Sequence, residues 1–173
     1  MQIDYLVLSD VTLVLHGLDT QVITDTAVQD TSSRAREYFT QALRRTGSYS
    51  AARSAVNDLL IDHRLNNMNR PGGYWVASLD EDAPQHALTG SVPRSGYDRV
   101  LLCSDGFARL VDLFGVFASW GDLIESRTPL AECARLLREA EARDPESLRH
   151  PRWTVSDDAS AILLGVPGAV AGG

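Results

Sequence analysis

Two aspartates carry the first chemical suggestion in this sequence. Asp105 comes one residue after the nearly continuous apolar run from Arg99 to Cys103, with Ser104 between, and Asp157 comes just before another run, Ser160 to Val166. Strand ends aim side chains at one rim of a sheet, so neighbouring strands would bring these two carboxylates together. Carboxylate oxygens are hard ligands suited to Mg²⁺ or Mn²⁺. Two such ions can activate a bridging water and neutralise a phosphoryl oxygen. Asp105-Gly106 and Asp157-Asp158 are also common turn dipeptides, and that reading stands beside the metal reading.

The same stretch offers a rival chemistry. Cys103 and Arg109 are separated by five residues, between a strand and a helix, as in a phosphate-cradling loop with a thiolate nucleophile. Asp105 argues against it. Its charge would repel a phosphate dianion and raise the thiol pKa, when catalysis needs it lowered. Cys103 is therefore expected not to be a nucleophile, and Cys133, on an apolar helix face, to be packing. His63 has no second histidine at helical spacing and reads as a boundary residue rather than a ligand.

Composition narrows the classes further. The chain has 173 residues, 44% of them hydrophobic and 23% charged, enough for one domain with a sizeable core. Its formal net charge of -7 disfavours nucleic acid and anionic membrane as general partners. No apolar run approaches the roughly 20 residues that span a bilayer, and the start shows no signal peptide, so a cytoplasmic location is expected. There is no lysine, which excludes a Walker-type phosphate loop and Schiff-base chemistry. Cys103 and Cys133 form no CxxC pair, so neither a disulfide scaffold nor a structural zinc site is indicated.

The elements that must position the aspartates follow from periodicity. Runs at 3–8, 11–16 and 21–24 read as an antiparallel meander of strands. Helices are expected over 33–45 and 50–65, the first with Ala35, Tyr38, Phe39, Ala42 and Leu43 on one face. Tyr74 to Ala77 reads as a strand, 79–98 as a loop, and 99–103 as a strand buried on both faces. A short helix from Phe107 to Phe114 follows. Thr128 and Pro129 then open a helix that runs to Ala142. With a final strand at 160–166, the expectation is a single α+β domain over 1–166 and a flexible tail over 167–173.

These residues resemble a known family. Val100-Leu101-Leu102-Cys103-Ser104-Asp105-Gly106-Phe107 looks like the strand, Ser-Asp-Gly and helix motif of PP2C-type protein serine/threonine phosphatases. Asp157-Asp158-Ala159-Ser160-Ala161-Ile162-Leu163-Leu164 looks like their closing Asp-Asn or Asp-Asp motif and last strand. Leu8-Ser9-Asp10-Val11-Thr12 is similar to their Gly-Asp-Ser strand pair, with Ser9 and Val11 in place of Gly and Ser. The resemblance implies a four-layer α-β-β-α sandwich and a dinuclear Mg²⁺ or Mn²⁺ centre. It implies Asp105 and Asp157 as ligands of one ion, Asp10 as a ligand of an additional one, and a flap-like helical insertion over 31–68. It also implies a phosphoprotein substrate.

The sequence contains no Asp-Gly-x-Gly-Gly, the family segment that supplies a ligand bridging both ions. The expectation is therefore an N-terminally incomplete domain, weakly active or inactive alone, able to self-associate through an exposed sheet edge. The alternative is a non-catalytic binding or regulatory protein of the same fold.

Overall fold

The computed structural model describes residues 1–166; the expected tail over 167–173 lies outside the described residues. The architecture is α+β. Strands β1 (Gln2–Val7), β2 (Thr12–Gly17), β3 (Thr20–Ile23), β4 (Leu88–Pro93), β5 (Tyr97–Cys103) and β6 (Ala161–Gly165) form two antiparallel sheets. One is the ribbon β1-β4; the other has the order β3-β2-β5-β6. No helix of the described residues is long and apolar enough to cross a membrane.

Each face of the larger sheet has its own core. Val14, Leu101 and Cys103 point to one face and pack with Phe107, Leu110, Leu123, Ile124, Cys133 and Leu137. Those residues come from α5 (Asp105–Asp112), α6 (Trp120–Glu125) and α7 (Leu130–Ala142), once the helices α1 to α4 described below are counted in chain order. Leu13, Leu15 and Val100 alternate to the other face, as the two-residue period of a strand requires, and pack under Val7 of the ribbon. Three layers result: helices, sheet, ribbon.

The ribbon is narrower than the sheet it covers. Across the paired row Leu15, Val100 and Leu164, exposure rises from 0% to 9% to 49%. Ile162, on the same face of β6, is 57% exposed. The outer face of the ribbon is open to solvent and mostly polar, with Gln2, Asp4, Thr89 and Ser91 beside the exposed Leu6 and Pro93.

A helical lobe stands apart from both cores. It comprises α1 (Ala27–Thr31), α2 (Ser33–Thr46), α3 (Tyr49–Ala55) and α4 (Asn57–Asn67). Phe39, Ala42, Leu43, Ala52 and Val56 form its interior, with Trp153 packed against it. Tyr49 ties the lobe down: its hydroxyl donates to the Trp153 carbonyl at 2.6 Å.

Several expectations are corrected. β1 does not join a meander; it pairs with β4, because the Ser9-Asp10 link carries the chain from one layer to the other. Ser9 takes φ 65° there, a conformation a glycine would adopt without cost. The expected loop at 79–98 contains β4, disguised by Gly90 and Pro93. Gly90 makes room for the Tyr5 ring of its register partner, which a Cβ there would meet at 2.3 Å from the hydroxyl and displace. Tyr74 to Ala77 is not a strand; Tyr74 makes one bridge to Met68 and stacks on the half-buried His63, ring centroids 5.6 Å apart. The long helix at 50–65 breaks at Val56, buried in the lobe core with its amide turned to Arg53. Pro129, not Thr128, is the cap residue of α7.

Candidate metal centre

The rim is built by two strand ends and the loop between them. Beyond the last β5–β6 pair, the Ser104 amide donates to the Ser160 carbonyl at 3.0 Å and the Ser160 amide to Ser104 Oγ at 3.1 Å. These bonds prolong the ladder by one residue and fix Asp105 against the 157–160 segment. Gly106 makes that approach possible: a Cβ on it would sit 2.1 Å from the Asp158 carbonyl oxygen and 3.2 Å from Asp157 Cβ. Asp10 joins from the start of β2, whose Thr12 pairs with Cys103 at the same sheet end. The structure thus gathers Asp10, Asp105 and Asp157 from three separate stretches of chain.

Their charges are felt. Burial pushes the Asp105 carboxyl above its usual range, and the negative charges of Asp10 and Asp157 push it further, against the Gly106 amide and Arg109. A cation would relieve this crowding. Asp10 and Asp105 open onto a cleft of about 320 Å³, shared with Asp112, Arg36, Arg109 and Arg152.

Asp157 is less free. Its Oδ2 accepts from Arg109 Nη2 in an ion pair and from Thr154 Oγ1 at 2.9 Å, and its Oδ1 from the Asp158 amide at 3.1 Å. Arg109 is itself held by the Thr154 carbonyl at 3.2 Å and by buried Glu141 at 3.5 Å. Among the described residues, no group of three or more His, Cys, Asp or Glu side chains is placed to hold a metal ion. Asp10 and Asp105 are the carboxylates of the three that line the cleft; Asp157 would join them at an ion only if Arg109 yielded.

Sequence reading missed Arg36 and the pairing role of Arg109. A signal for Arg109 exists: Asp105, Arg109 and Asp112 recur at four- and three-residue spacing, so they share one face of α5. Arg36 has no such signal, because its place depends on how the lobe docks.

The thiolate alternative fails on this geometry. Cys103 is 3% exposed, and burial, then Asp112 and Asp105, push its thiol up to about 12. Cys133 is wholly buried in the helix-side core. We expect native protein at pH 8 to resist iodoacetamide at both cysteines while unfolded protein is alkylated rapidly. Fast native labelling of Cys103 would reopen the cysteine mechanism.

Comparison with protein-family models, curated proteins and solved structures finds no match to this chain. The functional reading therefore rests on the site.

Proposed function

We propose that this chain is a PP2C-like, metal-dependent phosphoprotein serine/threonine phosphatase domain that is weakly active or inactive by itself. The observation that carries the reading is the placement of Asp10, Asp105 and Asp157 at one sheet rim, where burial and the charges of Asp10 and Asp157 push the Asp105 carboxyl above its usual range. A Mg²⁺ or Mn²⁺ ion there would supply a Lewis acid and lower the pKa of a bound water. Asp10 and Asp105 would hold it. Arg109 would orient Asp157, and the cleft walls would limit water around the carboxylates. By resemblance the layered α-β-β arrangement belongs to the four-layer PP2C sandwich.

The ligand count supports weak activity. Mg²⁺ dehydrates reluctantly and needs more than two lone carboxylates for tight binding. A phosphate monoester brings about two negative charges that need compensation in the transition state. The bare side of β6 supports a second element of the proposal. Ile162 and Leu164 lie where further strands would cover them, so self-association or a strand-donating protein partner is expected. A non-catalytic, phosphoprotein-binding role is the second reading, favoured by the Arg109–Asp157 ion pair that occupies a ligand position.

One experiment separates these outcomes. The purified chain is sized, assayed on an aryl phosphate with Mn²⁺, and melted with and without Mn²⁺ beside Asp105→Asn. A carboxyl with a raised folded pKa favours the protonated fold, and that stability is lost as pH rises through the folded value. Asp105→Asn should therefore melt higher than wild type in chelator at pH 7 and lose the stabilisation by Mn²⁺. Turnover should be poor and the chain larger than a monomer. A melting point indifferent to Mn²⁺ sinks the metal centre; a monomer with robust turnover sinks the incomplete site.

A further inference from the structure

The most basic element among the described residues is a helix. Helix α2 carries Arg34, Arg36, Arg44 and Arg45 against a single acid, Glu37, although the chain as a whole has a net charge of -7. Ala35, Phe39, Ala42 and Leu43 face the lobe interior, which leaves two outward stripes. One holds Arg34, Tyr38 and Arg45 around a groove of their own. The other runs Ser33, Arg36, Glu37, Thr40, Arg44 along a second groove.

Arg36 and Gln29 line both this second groove and the carboxylate cleft, and Arg36 is the charged one of the two. Three arginines line that cleft. Arg109 is paired with Asp157 and Glu141, and Arg152 with Asp144. Arg36 has no carboxylate partner among the described residues; its guanidinium lies over the Trp153 ring, 5.5 Å from the centroid. Partial burial lowers its pKa, while the residue as a whole is exposed and open to an anion. Arg44 also has no ion pair among the described residues.

We infer that α2 selects phosphopeptides with an acidic flank. Arg36 binds the phosphoryl group at the mouth of the carboxylate cleft, and Arg44 binds an acidic side chain further along the same peptide. The spacing follows from helix geometry. Eight residues at 1.5 Å each place the two arginines about 12 Å apart along the axis. An extended peptide rises roughly 3.3 Å per residue, so the acid lies three to four residues from the phosphorylated one. Glu37, between them, repels an acid placed closer. The inference rests on the phosphatase-type reading only for the nature of the anion at Arg36.

The test uses binding without turnover. Fluorescent phosphoserine peptides carrying Glu or Arg four residues from the phosphate, with their unphosphorylated forms, are titrated with full chain in chelator and read by anisotropy. A charge-assisted contact corresponds to about tenfold or more in affinity. Arg36→Ala should weaken the phosphopeptide by that factor and leave the unphosphorylated form unchanged. Arg44→Ala should remove the preference for Glu over Arg and keep the preference for phosphate. Arg45→Ala, the same charge change on the other stripe, should do neither.

Equal losses in Arg36→Ala and Arg45→Ala would overturn the inference, as would displacement of the peptide by an equimolar short oligonucleotide. The two proposals fail separately. Selective binding by a chain whose melting point is indifferent to Mn²⁺ leaves this inference standing and removes the metal centre. Hydrolysis indifferent to Arg36 and Arg44 does the reverse.

Discussion

Replacing Arg152 with methionine will cost the fold about 3–5 kcal/mol, the range for removing one partner of a buried ion pair. Every donor of this guanidinium is used. Nε donates to the Val155 carbonyl at 3.0 Å. Nη1 donates to Asp144 Oδ2 at 2.8 Å and the His150 carbonyl at 3.0 Å, and Nη2 to the carbonyls of Asp144 at 2.6 Å and Glu141 at 3.3 Å. Arg152 is 4% exposed and Asp144 5%. Methionine keeps the packing volume but strands a carboxylate and four carbonyls. For a domain of this size the loss is roughly 10 °C or more in melting temperature.

A pH series identifies the cause. Burial works to raise the Asp144 pKa, but the amides of His150 and Arg149 and the Arg152 guanidinium outweigh it and hold the carboxyl below its usual range. A depressed folded pKa gives stability that is present above the ordinary aspartate value, about 4, and lost as pH falls through the folded value. Arg152→Met should flatten this acid limb. Adding Asp144→Asn should recover part of the loss at neutral pH. A single variant that melts like wild type would show that the network contributes nothing.

The second large effect is expected at Gly106. Two forces oppose each other there. Alanine in a helix is favoured over glycine by about 1 kcal/mol. Its methyl would meet the Asp158 carbonyl oxygen at 2.1 Å, a backbone atom that no side-chain rotation moves away. Overpacking of this kind costs about 3 kcal/mol, so sterics win and Gly106→Ala should lose about 2 kcal/mol net. Thermal shift should show that loss, together with a weaker response to Mn²⁺, because the Asp105 and Asp157 segments are forced apart. A rise in melting temperature would mean that the 157–160 segment yields freely and is not a fixed wall of the site.

The residues of the rim were legible because strand ends advertise themselves. Arg99 to Cys103 and Ala161 to Gly165 are short apolar runs with polar stops, and the residue types at the stops suggest ligands. The helix α2 was legible from the spacing of Ala35, Tyr38, Phe39, Ala42 and Leu43, although Tyr38 proves to lie outside the buried face, 48% exposed. The Arg152–Asp144 pair was not, because it lies in an irregular segment where no period links position to environment. β4 was hidden for a related reason: its glycine serves the Tyr5 ring on the neighbouring strand, a need that exists only after pairing. α6 was passed over although Ser119 accepts from the Asp122 amide at 3.1 Å, a capping pattern visible in the sequence. Which arginine of α2 meets the aspartates depends on the docking of the lobe on Trp153, a long-range fact outside any window.

The lobe enters after β3 and leaves before β4, and its interior shares no buried residue with the two cores of the sheet. Substitutions among Phe39, Ala42, Leu43, Ala52 and Val56 are absorbed within it, and those on its outer stripes leave the rim aspartates where they are. Change in partner choice can therefore be confined to one continuous stretch of chain while the acid-bearing strands stay constant. The contacts of Tyr49 with Trp153 and Glu146, and of Phe39 and Arg36 with the Trp153 ring, are what must match whenever the lobe is exchanged.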